Sequence, residues 1–321
     1  MKDRILLLVV LVALLPACKP GEPGGQVGTF HAENELFWEL VSPDALAEQI
    51  GIRFVFTEGP AMLPNGDLLF SDIPENTIYR FSKGKKFDVF RNPSNNSNGL
   101  LTLRDGSVLA CEHGSRSLTW ITSDGNSTTL VDSFEGRKLN SPNDLCRSSR
   151  GLIYFTDPPW GLSGRNEDPD KELAFNGVFM LRNGELSLVD STLSWPNGIA
   201  LSPDERYLYV ANFEGSPESE KSEREVFWMR YELDTEGNVL GKSRFFQALD
   251  LSLPGGPDGM KVDKNGNIFA TGPGGILVIA PDGEHLGTIG LPLSPTNLAF
   301  GPGEKILYVT ARSNLVRIRL R

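Results

Sequence analysis

Six segments of this chain can be laid over one another, and no other feature narrows the fold as much. They run from Glu58 to Asp72, Asn98 to Glu112, Asn143 to Asp157, Asn197 to Asn212, Asp258 to Gly272 and Asn297 to Ala311. Five are 15 residues long and the fourth has one residue more. Each opens on a side-chain oxygen, passes through a short apolar strand and a Gly- or Asp-containing turn, and ends in a strong β run such as LIYF or YLYV. Two more strand candidates follow each pair, for example Thr77 to Phe81 with Phe87 to Phe90. Past residue 57 no helical periodicity lasts beyond two turns. Four strands in each of six units predict an all-β chain, a six-bladed β-propeller with a central channel. Residues 58–321 average 44 per unit, which suits a four-stranded blade. A β-sandwich of similar strand count leaves six anchors at one repeat position unexplained.

The last unit reaches Arg321 after three strands, the third being Asn314 to Leu320. A blade without its outer strand exposes an open edge, so an N-terminal strand is expected to close the ring. Glu35 to Val41 (ELFWELV) is the expected donor, with Ser42 to Ile50 as a short helix. The beginning of the chain reads as an address. Lys2 and Arg4 precede an apolar run from Ile5 to Leu15, which as a helix rises only about 16 Å, half a bilayer core. That is the length of a signal-peptide core. Leu15-Pro16-Ala17-Cys18 resembles a bacterial lipoprotein cleavage box. Residues 1–17 are therefore expected to be a removed signal peptide, and Cys18 a lipidated N-terminus anchored in the cell envelope and facing the periplasm. The alternative is an ordinary secretory signal with a chance Cys. Residues 18–34 are expected to be a tether, since Gly and Pro fill six of the eleven positions from 19 to 29, and residues 35–321 the propeller.

Composition excludes some partners. With 31 Lys+Arg against 41 Asp+Glu, the net charge of −10 argues against nucleic acid, which needs a basic surplus. No protein partner is implied either. Three Cys are too few for a disulfide scaffold or a multi-Cys zinc site. Cys111 and Cys146 lie in apolar runs and read as buried free thiols, with a bridge between them the alternative.

The first strand of a propeller blade lines the axis, so Glu58, Asn98, Asn143, Asn197, Asp258 and Asn297 are expected to meet around the channel. Two carboxylates and four amides, without Cys or His, are the donors of a hard divalent cation: Ca²⁺ first, then Mg²⁺ or Mn²⁺, with Zn²⁺ admitted by its generic affinity. Any one anchor taken alone is explained by capping of a strand entry. Two carboxylates facing a narrow channel without a cation are costly, which favours the metal. Asp72, Glu112, Asp157 and Asn212 form a second polar ring that fades to Gly272 and Ala311, and strand-end capping accounts for it as well as function does. His113, beside Glu112, is the one imidazole placed to act as a base. His31 and His285 receive no role. The nucleophile elbow, the Gly-rich phosphate loop and HExxH are all absent from the sequence. Asp263-Lys264-Asn265-Gly266-Asn267 imitates a calcium loop, but Gly274 stands where the twelfth-position Glu belongs, so a hairpin turn is expected.

Four stretches carry a resemblance: FTEGP (56–60), LNSPND (139–144) with YFTDPPWG (154–161), WPNGIALSPDERYLYVAN (195–212) and GGPDGMKVDKNGNIFATGPGG (255–275). Through them the chain, over roughly residues 36–321, resembles the senescence marker protein/gluconolactonase/regucalcin family, nearest to bacterial gluconolactonases, which share the Glu112-His113-Gly114 element. The resemblance implies one divalent metal held by Glu58, Asn197 and Asp258. It places Asn143 in the first or second ligand position and in contact with substrate, and makes Asp258 the general base. Asn98, Asn297 and Glu112 are further candidate substrate contacts. Regucalcin-like members place Arg two residues before the Asn matching Asn143; here Ser141 stands there, so sugar contacts made by that Arg do not carry over.

The expected function is hydrolysis of a small sugar-derived lactone. The cation would polarise the carbonyl while Asp258, or His113 in second place, takes a proton from water. A metal-bound carboxylate is a weak base, which is the difficulty of that assignment. Insertions at Ser163 to Asn176 and Glu214 to Glu225 are expected either to cover the channel mouth or to be solvated loops, with Trp160 and Trp195 as apolar walls. The alternatives are a non-catalytic, metal-containing binding propeller and a phosphotriesterase-like hydrolase on the same site.

Overall fold

Each repeat unit becomes one antiparallel sheet in the computed structural model, which describes residues 25–83, 86–214, 225–248 and 250–321. The six inner strands are Thr57–Met62, Ser97–Thr102, Leu145–Arg147, Pro196–Leu201, Met260–Val262 and Asn297–Phe300. From each of them the chain steps outward strand by strand; in the first four blades the sheet order follows the sequence throughout. The expected six-bladed propeller is what the chain forms. The core explains why it closes. Apolar side chains gather into six clusters, one for each gap between neighbouring blades. The gap between last and first is filled by Ala299, Tyr308 and Leu315 packing on Leu68, Phe70 and Phe81. Blades alternate apolar faces with both neighbours, so every sheet is buried on two sides except at its outer strand.

The closing strand comes from the N-terminus, as expected, but from a different segment. Ala47–Gly51 pairs antiparallel with Asn314–Arg319, and Glu35 to Val41 does not. Within ELFWELV, Phe37–Leu40 is a single helical turn, and Val41 makes only an isolated bridge to Leu320. The apolar residues Phe37, Trp38, Leu40 and Val41 recur at spacings of three and four, a helical stripe, and Phe37 and Val41 are both fully buried between the last two blades. The helix expected over Ser42 to Ile50 is therefore displaced upstream. Arg317 Nε donates to Glu48 Oε2 at 3.1 Å across the closing pair. Part of the segment expected to be a tether also enters the sheets: Gln26–Val27 adds to the sixth blade and Thr29–Ala32 to the fifth. Both cover strand edges that would otherwise stand open.

The second polar ring ties the entry of a blade to that blade's own second strand. Asp72 accepts from Val55 N and Phe56 N at 2.9 and 3.0 Å, and Asp157 from Asn140 N and Ser141 N, both at 2.7 Å. Asn212 Oδ1 accepts from Trp195 N at 2.9 Å. Each captures the chain where it enters its own blade, satisfying N–H groups that no strand pairs, buried at Asn140, Ser141 and Trp195 and part-buried at Val55 and Phe56. Asp263 accepts from Asn265 N and Asn267 N in a hairpin turn, so the imitation calcium loop is only that.

Candidate functional site

The inner strands do not run straight past their anchors. Register shifts between Glu58 and Ala61, Ser97 and Leu100, and Pro196 and Ile199 mark bulges just after the anchor, which turn its side chain toward the axis. Gly59, Gly99, Gly198 and Gly259 follow four of the six anchors. At Gly198 the reason is proximity, since a Cβ there would lie 2.0 Å from the carbonyl oxygen of Asp258. Neighbouring inner strands approach so closely that the anchors of adjacent blades meet side by side.

They meet at the floor of a cavity of about 720 Å³. Glu58, Asn98, Asn143, Asn197 and Asp258 all line it, together with His113. Five of the six expected anchors are thus brought together. Asn297 is buried outside the cavity lining: its Nδ2 donates to Glu58 Oε2 and to Asp144 Oδ2, each at 3.2 Å. Glu112 is also outside the lining, buried and accepting from Asn95 Nδ2 at 3.0 Å and from Ser115 Oγ. Both were expected to touch substrate, and the structure places them behind the residues that do face the cavity. Ser141 Oγ donates to Pro158 O and accepts from Gly161 N, so it shapes the turn carrying Trp160.

The walls above are largely apolar, with Phe56, Ile73, Phe213, Leu253 and Trp160 among them. Trp195 does not reach the cavity; it backs Trp160, ring centroids 4.3 Å apart. From the first insertion Arg165 contributes, its Nη1 holding Leu162 O at 2.9 Å and its guanidinium lying over the Trp160 ring. Most of the second insertion, 215–224, lies outside the described residues, as does Cys18.

Charge at the floor is crowded. Burial, and then the Asp144 carboxylate, push Glu58 up to about 7 against the hydrogen bonds from Gly59 N and Asn297 and the pull of Lys261. Asp258 is raised well above the ordinary range by burial, then by Glu58 and Asp144. His113 is held down to about 4 by burial and by Arg165, so its ring is neutral near pH 7. An N–H of Asn98 faces His113 Nε2 at 3.3 Å, which makes Nε2 an acceptor and leaves the proton on Nδ1. Asn197 Oδ1 is buried with no hydrogen-bond partner, while its Nδ2 donates to Pro257 O at 3.3 Å. Among the described residues no group of three or more His, Cys, Asp or Glu side chains is arranged to hold a metal. The donors available here are two carboxylates and amide oxygens.

Sequence reasoning missed Asp144, Lys261 and Arg312. Asp144 had a signal: it occupies the position that Gly fills after four anchors, so an acid stands where the repeat calls for no side chain. Cys111 and Cys146 are both free thiols; Cys111 is buried, as expected, and Cys146 only partly.

Fold and site together define a funnel-type six-bladed propeller, with a cluster of oxygen donors at the narrow end of one cavity. The chain belongs to the SMP-30/Gluconolactonase/LRE-like family, whose family model matches residues 56–313. It is 37% identical to the gluconolactonase of Zymomonas mobilis, over 94% of this chain and 88% of that one. It superposes on a solved gluconolactonase from Xanthomonas campestris with a TM-score of 0.83 and 29% identity, covering 95% of this chain and all of the other. A calcium-binding regucalcin from Agrobacterium tumefaciens shares the fold, with a TM-score of 0.67 and 20% identity over 84% of this chain and 92% of its own.

Proposed function

We propose that the chain hydrolyses a small sugar-derived lactone at the cavity floor, with a divalent cation, Ca²⁺ in the first instance, held by Glu58, Asn197 and Asp258 and with Asn143 beside them. The coarser class, a hydrolase of ester bonds of the lactonase kind, is supported by the gluconolactonases it is similar to over nearly its whole length. One observation carries the cation: Asn197 Oδ1 is buried and unpartnered in a lining shared with the Glu58 and Asp258 carboxylates, which burial and the neighbouring Asp144 charge both push upward. A buried acceptor without a donor costs about 1–3 kcal/mol, and a hard cation removes that cost along with the carboxylate repulsion. When bound, the cation supplies positive charge that polarises a lactone carbonyl and offsets the oxyanion.

The remaining work falls to side chains. Asp258 takes a proton from the water whose oxygen bonds to the carbonyl carbon, and returns it to the ring oxygen as the ester C–O bond breaks. Burial, the largest of the influences that raise Asp258, persists with a cation bound and works against the loss of basicity that ligation brings. Neutral His113 orients Asn98 toward the cavity, and is the second candidate for the base. Asn98 and Asn143 present amides to ring hydroxyls, and Trp160 offers an aromatic face.

Proton release from a panel of aldonolactones, with and without EDTA, tests the reading. Metal-dependent hydrolysis by the wild type, abolished in Asp258→Asn, is expected; no hydrolysis of any lactone sinks it. The envelope location rests on the Lys2–Cys18 sequence alone, and labelling of the wild type but not Cys18→Ser with a clickable fatty acid is the expected result.

A further inference from the structure

The polar column does not end at the cavity floor. Asp144 and Asn297, both 2% exposed, and half-buried Lys261 lie outside the cavity lining yet connect to it through Glu58. Lys261 Nζ donates to Asn297 Oδ1 at 3.4 Å and to Met260 O at 3.0 Å. The Asn297 amide cannot be reversed, because Oδ1 also accepts from Leu298 N at 2.8 Å; its NH₂ must therefore face the carboxylates of Glu58 and Asp144. Ammonium, amide and two carboxylates follow one another in a single chain of hydrogen bonds.

Both charges at the ends of this chain break the repeat. Asp144 follows its anchor directly, where four blades have Gly. Lys261 is third after its anchor, and the corresponding residues of the other five blades are Ala61, Leu101, Cys146, Ala200 and Phe300. No packing rule of the propeller asks for either one.

We propose that Lys261 is a fixed counter-charge that, with Asp144, matches the floor of the site to a doubly charged cation. This rests on the cation reading above. With Glu58 and Asp258 ionised against a bound ion, they and Asp144 supply three negative charges and Lys261 one positive, so a single divalent ion brings the group to neutrality. Surplus charge of either sign in a low-dielectric channel is unfavourable, so the count sets which ion is held best. Lys261 acts on Glu58, whereas the cation acting on Asp258 is Arg312, which lines the cavity but is exposed, so solvent screens it.

The test is calorimetric titration of the full chain with Ca²⁺, and luminescence titration with Tb³⁺, for wild type, Lys261→Met and Asp144→Asn, each checked by thermal unfolding. Lys261→Met is expected to bind Ca²⁺ on the order of tenfold tighter and Tb³⁺ about thirtyfold tighter, because the effect scales with ion charge. Asp144→Asn is expected to weaken Ca²⁺ by a similar factor. If Lys261 merely props the floor, its loss weakens binding, the opposite sign. A folded Lys261→Met with unchanged or weaker Ca²⁺ affinity overturns this inference alone. A wild type that binds neither ion overturns the cation reading and this inference together. Should Lys261→Met fail to fold, Lys261→Gln, which keeps a donor for Asn297 Oδ1, carries the same expectation.

Discussion

Gly198→Ala adds one methyl group where two inner strands touch. The added Cβ would stand 2.0 Å from the Asp258 carbonyl oxygen and 2.7 Å from the Gly259 Cα. Both obstacles are backbone, so no side-chain rotation relieves them; the strands of the fourth and fifth blades must part. Overpacking of this kind costs typically 1–3 kcal/mol, and rigid backbone on the far side puts Gly198→Ala near about 3 kcal/mol. At roughly 2 °C per kcal/mol for a domain of this size, the melting temperature should fall by about 6 °C. Function should suffer more, because Asn197 precedes the substitution and Asp258 is what it strikes; a displacement near 1 Å at a reacting group costs about a hundredfold in rate. Gly241→Ala is the matched control. It sits on the exposed outer strand Val239–Gln247 with nothing within 4 Å of an added Cβ. There the same methyl group acts mainly on the unfolded chain and should stabilise by about 0.4–1 kcal/mol. Differential scanning calorimetry of the two variants and steady-state lactone hydrolysis supply the readouts. Gly198→Ala melting with the wild type and retaining full turnover would refute the claim that blade contact positions the anchors.

Other consequences can be measured independently. Asp72→Ala strips the acceptor from Val55 N and Phe56 N and should destabilise by about 2–4 kcal/mol, read by denaturant titration; a cost under about 0.5 kcal/mol means the entry segment is held by something else. At Asp190, burial raises the carboxyl, but hydrogen bonds from Lys242, Tyr231 and Thr192 outweigh it and hold it below its ordinary 3.8. A depressed folded-state pKa gives stability that is present above pH 4 and lost as pH falls through the folded value, so the deficit of Asp190→Asn measured at pH 7 should shrink below about pH 4. A deficit that is constant with pH contradicts the assignment. His113, already neutral with a pKa of about 4, should impose no limb on the rate profile between pH 6 and 8, and His113→Gln should keep most of kcat with a raised KM. Loss of more than about a thousandfold in kcat would make His113 the base instead.

The repeat was legible in the sequence because propeller geometry copies one pattern six times, and each anchor could be checked against five others. What is not repeated was harder to see. The closing segment was misplaced because ELFWELV has the aromatic content of a strand, and its spacing of three and four was outweighed by that content; AEQIG (47–51), with its small and charged residues, has little β propensity and is held by its pairing to Asn314–Arg319. Asn297 and Glu112 share the anchors' side-chain chemistry, and only the three-dimensional arrangement shows that Asn297 turns toward Glu58 and Asp144 while Glu112 turns toward Asn95 and Ser115. Lys261 and Arg312 come from positions that repeat alignment treats as ordinary strand and turn.

The strand that seals the ring sits near the start of the chain, and its partner at the very end. Glu48 and Arg317, bonded across that seam, are 269 residues apart in sequence. A contact of such range forms late, since the loop it closes is the whole propeller. Emerging from a ribosome, the early strand must wait unpaired until the last blade is delivered, and the donor cluster cannot be completed before then, because Asn297 of that last blade braces Glu58 of the first. Deleting Ala47–Gly51 or Asn314–Arg319 should therefore cost the donor cluster along with the seam, and the ring should be gained or lost in one step.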